Sequence, residues 1–195
     1  MFVYCNNAPI INSDPFGYIS RTSFFNAEYD SGGVSRIIYD VPLYSQGSYR
    51  LCWAFCQIMI EDYFLGTTST QKDAEQRAVD LAKSVNGERN IFGKEKWNRG
   101  AWPTNLGEGN CPKTIHELYV LLQSGPAYAY YSTFSGRDHA HMVVVTGVDV
   151  SADLVYVNNP WGTSGTQTFE EFFSGWYGSS YEDYLAPLGC VYPVV

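Results

Sequence analysis

The chain has 195 residues, of which 45% are hydrophobic, 16% aromatic and 16% charged, and its formal net charge is -8. That much apolar surface supports one well-packed domain, or two small lobes around a cleft, and excludes a disordered chain. The acidic balance argues against a nucleic-acid or anionic-membrane partner, since both need a basic face; no apolar run approaches the roughly 20 residues that span a bilayer.

Residues 1–36 are rich in Asn, Ser, Gly and aromatics, with a turn at Ser31-Gly32-Gly33. They read as a covering arm, a pro-segment or an irregular first lobe, ahead of a main domain over 37–195. The opening Met1-Phe2-Val3-Tyr4-Cys5 lacks the basic and apolar regions of a secretory signal. Ile37 to Leu43 reads as a strand that ends in the Ser45-Gln46-Gly47-Ser48 loop. Cys52 to Leu65 reads as a helix with apolar first turns, central and buried. A more polar helix follows from Thr70 to Val85, with Ala74, Ala78, Leu81, Ala82 and Val85 on one face, and Asn86-Gly87 stops it. Residues 88–112 have loop composition; their Trp97 and Trp102 could wall a pocket or fill a satellite core. A third helix, Lys113 to Gln123, closes at Ser124-Gly125-Pro126.

Beyond residue 125 the pattern changes. Ala127 to Tyr131, His141 to Val150 and Leu154 to Asn158 read as strands, and Phe169 to Trp176 as a short helix between later strands. Helices early and strands late point to an α+β arrangement, with a cleft between a helical lobe and a sheet lobe.

Five cysteines (Cys5, Cys52, Cys56, Cys111 and Cys190) allow at most two disulfides and leave at least one thiol. With no C-x-x-C and only three histidines there is no zinc-ligand spacing, and no metal or cofactor is expected. Cys52 stands at a helix start, where backbone N–H groups and the helix dipole favour an anion and should lower its pKa. A thiolate made this way needs an imidazole, and the imidazole needs a third group to fix its tautomer. His116 falls within a helix, where a surface role fits it better. His139 and His141 both open the strongest strand, on one face, so alternation does not separate them. Asn158 and Asn159 point to opposite faces of their strand, and Asn-Asn-Pro is also turn composition. Asp149 and Asp153 are further third-member candidates, but both fall in a hairpin connection.

These residues resemble those of the papain-like cysteine peptidases. Cys52-Trp53-Ala54-Phe55 is similar to the family's nucleophile helix, and Gln46 stands six residues before the cysteine, as the family's oxyanion glutamine does. His141 precedes Gly147 by six, and Asn159-Pro160-Trp161-Gly162 is similar to the family's N-x-W-G. The resemblance selects His141 over His139 and Asn159 over Asn158. It implies that Cys52 attacks, His141 acts as base, Asn159 orients it, Gln46 holds the oxyanion and Trp161 shields the His–Asn bond. The expected activity is hydrolysis of peptide bonds through a thioester, on a protein or peptide substrate, in a papain-like fold with a helical lobe against an antiparallel sheet lobe.

Val41-Pro42-Leu43-Tyr44-Ser45-Gln46, Gly125-Pro126 and the run from Val155 to Gly162 bring the resemblance closer to compact bacterial members. Those are peptidase domains that trim bacteriocin leaders and papain-like effector proteases, which implies a bacterial protein secreted or delivered to a host cell. The resemblance covers about residues 40 to 176. Tyr49 stands where the family has a disulfide-bonded cysteine, Cys56 is expected to pack in the core, and small bacterial relatives often carry Asp at the Asn159 position. Other readings of the same residues are a peptidoglycan amidase, a transglutaminase-like acyl transferase, an idle papain-like binding module, and autoprocessing of residues 1–36. The oligomeric state is left open.

Overall fold

The computed structural model describes residues 28–29, 35–86, 109, 111–133, 140–174 and 185–194. Its elements in chain order are strands β1 (Glu28–Tyr29) and β2 (Ser35–Ile38), helices α1 (Cys52–Leu65), α2 (Gln71–Asn86) and α3 (Ile115–Leu121), strands β3 (Ala127–Thr133), β4 (Ala140–Asp149), β5 (Leu154–Asn159) and β6 (Thr163–Thr168), helix α4 (Phe169–Ser174) and strand β7 (Leu185–Pro193). His139, Trp97 and Trp102, together with Cys5 and all but two of residues 1–34, lie outside the described residues.

Three of these helices begin with a threonine whose hydroxyl accepts a backbone N–H three residues on. The pairs are Thr70 with Asp73 at 3.2 Å, Thr114 with Glu117 at 3.2 Å, and Thr168 with Glu171 at 3.2 Å. Glu171 reaches back to the N–H of Thr168 at 2.8 Å, completing a capping box, and Glu117 reaches one residue further, to the N–H of Lys113 at 2.7 Å. Such caps set the true starts, so α3 opens after Thr114 rather than at Lys113. Helix α1 differs: Leu51 precedes it and offers no side-chain cap. It ends at Gly66, which takes the left-handed conformation at φ 62° and closes the last turn on Tyr63.

Helix α1 is apolar around most of its surface, with every residue from Cys52 to Ile60 buried, and it packs between β4 and α2. A charge is nevertheless buried in it. Asp62, fully buried, accepts from Arg77 of α2 at 2.5 Å, from Tyr44 at 2.6 Å and from the Ser69 N–H at 3.0 Å. Arg77 also pairs with Glu61 at 3.1 Å, which pins α2 to α1. Burial works against the charge on Asp62, but Arg77, Tyr44 and Ser69 outweigh it and hold the carboxyl below its ordinary range.

The seven described strands form one sheet in which all pairings are antiparallel, ordered β1-β2-β4-β3-β7, with β5 on β4 and β6 on β5. The fold is α+β, helices against an antiparallel sheet, as expected. Strand β4 organises it. One edge pairs in succession with β3 and β2, and the other pairs with β5 from Val144 onward. At Gly147 the backbone of β2 comes so close that a Cβ would overlap the carbonyl oxygen of Ile37 and the α-carbon of Ile38. Only glycine fits there.

Beyond Ile38 the chain joins no ladder, so the strand expected to reach Leu43 stops early. Tyr39 N–H still donates to Thr146 O at 2.7 Å, but Val41 O accepts the Asn158 side chain at 2.8 Å, and Pro42 has no N–H to give. This segment leads directly to Gln46.

Candidate active site

The site forms where α1 begins, β4 begins and β5 ends. Cys52 is the first residue of α1 and is buried. Strand β5 pairs with β4 only from Val144↔Asn158, so the β5 edge of β4 is open at Met142. Two thiols of α1 fill that edge. Cys56 Sγ donates to Met142 O at 3.3 Å, and backbone hydrogen bonds at Met142, Trp53 and Cys52 itself reach the Cys52 sulfur. Cys52 therefore lies beside the residue that follows His141. Cys56 packs in the core, as expected.

The expected low pKa of Cys52 is not found. Burial pushes its thiol up to about 11, and the backbone donors that favour the thiolate are too weak to offset the desolvation. Cys52, Cys56 and Cys111 all carry thiols rather than disulfides.

His141 is buried on β4, and its Nε2 lies 2.9 Å from Asn159 Oδ1. The same oxygen accepts the backbone N–H of Trp161 at 3.0 Å. A backbone N–H can only donate, so the asparagine must turn its oxygen, not its amide nitrogen, toward both groups. That fixes the imidazole as well: Nε2 carries the proton, and Nδ1 is left as the basic nitrogen. The indole of Trp161 stacks on the imidazole, centroids 4.2 Å apart and 22° from parallel. Asn159 is fully buried, and its Nδ2 has no partner among the described residues.

A tight turn delivers Trp161. Gly162 N–H closes on Asn159 O at 2.9 Å, and Gly162 sits at φ +90°, where a side chain would be strained and would also press on Ser45. The turn is tied to the loop before α1, because Gln46 N–H donates to Pro160 O at 2.6 Å. Gln46 is buried, and its Oε1 has no partner among the described residues.

Sequence reasoning named Cys52, His141, Asn159 and Gln46, and the structure gathers Gln46, Asn159 and His141 around the start of α1 through these contacts. Asn158 faces the other way and holds Val41. Asp149 is occupied at the β4–β5 hairpin by Ser151, the Ala152 N–H and Arg36, and Asp153 sits in that turn at φ 54°. His116 is exposed on α3. Two hydrogen-bonded side chains near these elements carry weaker signals: Asp62 stands out as an acid inside an apolar helix, whereas Gln71, an exposed glutamine at a helix start that bonds the Ser45 backbone, carries none.

Residues 35–176 match the family model described as papain-like cysteine protease AvrRpt2. No curated protein sequence matches the chain.

Proposed function

We propose, for a chain that belongs to the papain-like cysteine protease AvrRpt2 family, that Cys52, His141, Asn159 and Gln46 together hydrolyse peptide bonds. The family makes the chain a cysteine peptidase, a hydrolase that acts on protein. The observation that carries the residue assignment is the imidazole of His141, held by Asn159 and Trp161 in one tautomer, one residue from the backbone that meets Cys52.

In this reading Cys52 passes its proton to His141 Nδ1 as the sulfur forms a bond to the substrate carbonyl carbon, and the carbonyl electron pair moves to oxygen. The raised thiol pKa fits transfer in step with attack better than a stored thiolate. The oxyanion is held by the Cys52 N–H and the Gln46 side-chain amide. On collapse the C–N bond breaks and His141 protonates the leaving amine, which leaves a thioester on Cys52. Water then attacks the thioester, giving its proton to His141, and the cysteine is released with that proton. The resemblance to bacterial effector proteases extends the proposal to a bacterial protein that acts on host proteins after secretion or delivery.

The test is cleavage of a peptide library read by mass spectrometry. Wild type should cut, while Cys52→Ala and His141→Ala should not, with folds unchanged by circular dichroism. Equal turnover by Cys52→Ala would sink the assignment.

A further inference from the structure

The loop that carries Gln46 is fastened from outside the site. Gln71, the first residue of α2, accepts the Ser45 N–H on its Oε1 at 2.9 Å and donates from its Nε2 to Ser45 O at 2.7 Å. One side-chain amide thus pairs with both backbone groups of one residue, as a neighbouring strand would. Ser45 in turn accepts the Gly47 N–H on its Oγ at 3.2 Å and packs against Gly162. Gln46, the next residue, is bonded through its N–H to Pro160. The peptide carrying Gln46 is therefore gripped by α2 on one side and by the Asn159–Gly162 turn on the other.

We propose that Gln71 is a positioning residue for the oxyanion donor: its two hydrogen bonds to Ser45 fix the direction in which the Gln46 amide points. The inference rests on the reading of Gln46 as an oxyanion donor. A planar amide bonded at both ends leaves Ser45 little freedom to rotate, and loss of either bond lets the loop swing about its Pro160 tether. Gln71 is exposed, and both of its described side-chain hydrogen bonds go to Ser45, so its effect runs through Ser45 to Gln46. Misplacing a catalytic donor by about 1 Å can cost on the order of 10²-fold in rate.

Two reagents for Cys52 separate this role from a general loosening of the fold. Acylation by 4-nitrophenyl acetate passes through an oxyanion, whereas alkylation by iodoacetamide does not. Gln71→Met, which keeps length and loses both bonds, should slow acylation about tenfold and leave alkylation of Cys52 unchanged. Gln71→Glu, which keeps the acceptor for the Ser45 N–H, should fall between Gln71→Met and wild type. In the double variant Gln46→Ala/Gln71→Met, acylation should be no slower than in Gln46→Ala alone. The inference is overturned if Gln71→Met slows both reactions alike, if it slows neither, or if its effect multiplies fully with that of Gln46→Ala. Should Gln46→Ala itself acylate at the wild-type rate, the reading of Gln46 fails first and takes the inference with it.

Discussion

His141 and Asn159 meet through Nε2 and Oδ1 at 2.9 Å inside the protein, and the Trp161 N–H holds that oxygen in place from a second direction at 3.0 Å. The asparagine is an adaptor: it turns a fixed backbone donor into a fixed imidazole tautomer.

Removing the adaptor frees the ring. Asn159→Ala should lower kcat/KM by about 10- to 100-fold, since hydrogen bonds that gain charge are worth roughly 1.5–3 kcal/mol. Asn159→Asp offers oxygens to both donors and gives up only Nδ2, which has no partner among the described residues. It should stay within a few-fold of wild type but add a negative charge beside the ring, which favours imidazolium. Because the base must be neutral to accept a proton, the acid limb of the pH–rate profile should move to higher pH. A limb that stays put in Asn159→Asp would mean that residue 159 does not control the base.

Burial keeps the resting Cys52 protonated, with a thiol pKa of about 11. Iodoacetamide labelling of native protein should therefore keep rising well above pH 8.5, the ordinary cysteine value of about that figure. Denatured protein should level off earlier. A plateau already reached below pH 7 would show instead that proton transfer to His141 outweighs desolvation in the resting protein.

The Asp62–Arg77 pair makes a prediction about stability. The folded pKa of Asp62 is depressed, so its stabilisation is present above the unfolded value of about 3.9 and is lost as pH falls through the folded value. Asp62→Asn should cost about 1–3 kcal/mol at pH 7, a range held low because Arg77 is partly exposed. The gap to wild type should narrow below about pH 4 in urea unfolding followed by fluorescence. A gap that is the same at pH 3 and pH 7 would show that the charge of Asp62 does not stabilise the fold.

Gly147 is constrained by backbone on the facing strand, which cannot rotate aside as a side chain can. Gly147→Ala should destabilise the protein by about 1–3 kcal/mol, the usual cost of overpacking. A thermal midpoint unchanged within a degree would show that β2 moves away at no cost.

The sequence was most legible where local chemistry and tertiary context agree. Helix α1 was bounded correctly at both ends, because its apolar run starts at Cys52 and a glycine suited to the left-handed turn follows Leu65. Strands β3, β4 and β5 were also readable, since alternating or continuous Val, Tyr and Ala mark buried ladders. Strand β6 was not, because Thr163–Thr168 is polar and mostly exposed, so it shows no apolar alternation. Strand β7 was hidden by Pro187, Gly189 and Pro193, which read as loop residues. In the site, the order of Gln46, Cys52, His141 and Asn159 was visible through spacing. The thiol's pKa was not, because it depends on how deeply the helix start is covered. Gln71 was invisible for a related reason: its two bonds join residues 26 positions apart.

The bare start of α1 sets it apart from the other described α-helices, each of which has a threonine to close it. A missing cap costs a helix about 1 kcal/mol. In α1 that deficit falls at the thiol itself, where a substrate's negatively charged oxygen could supply the absent acceptor. A reacting peptide would then complete the protein's own secondary structure for as long as the tetrahedral oxyanion lasts. The N–H groups that reach the Cys52 sulfur at rest would then be shared with the intermediate, so that the start of the helix and the seat of the oxyanion are one set of donors.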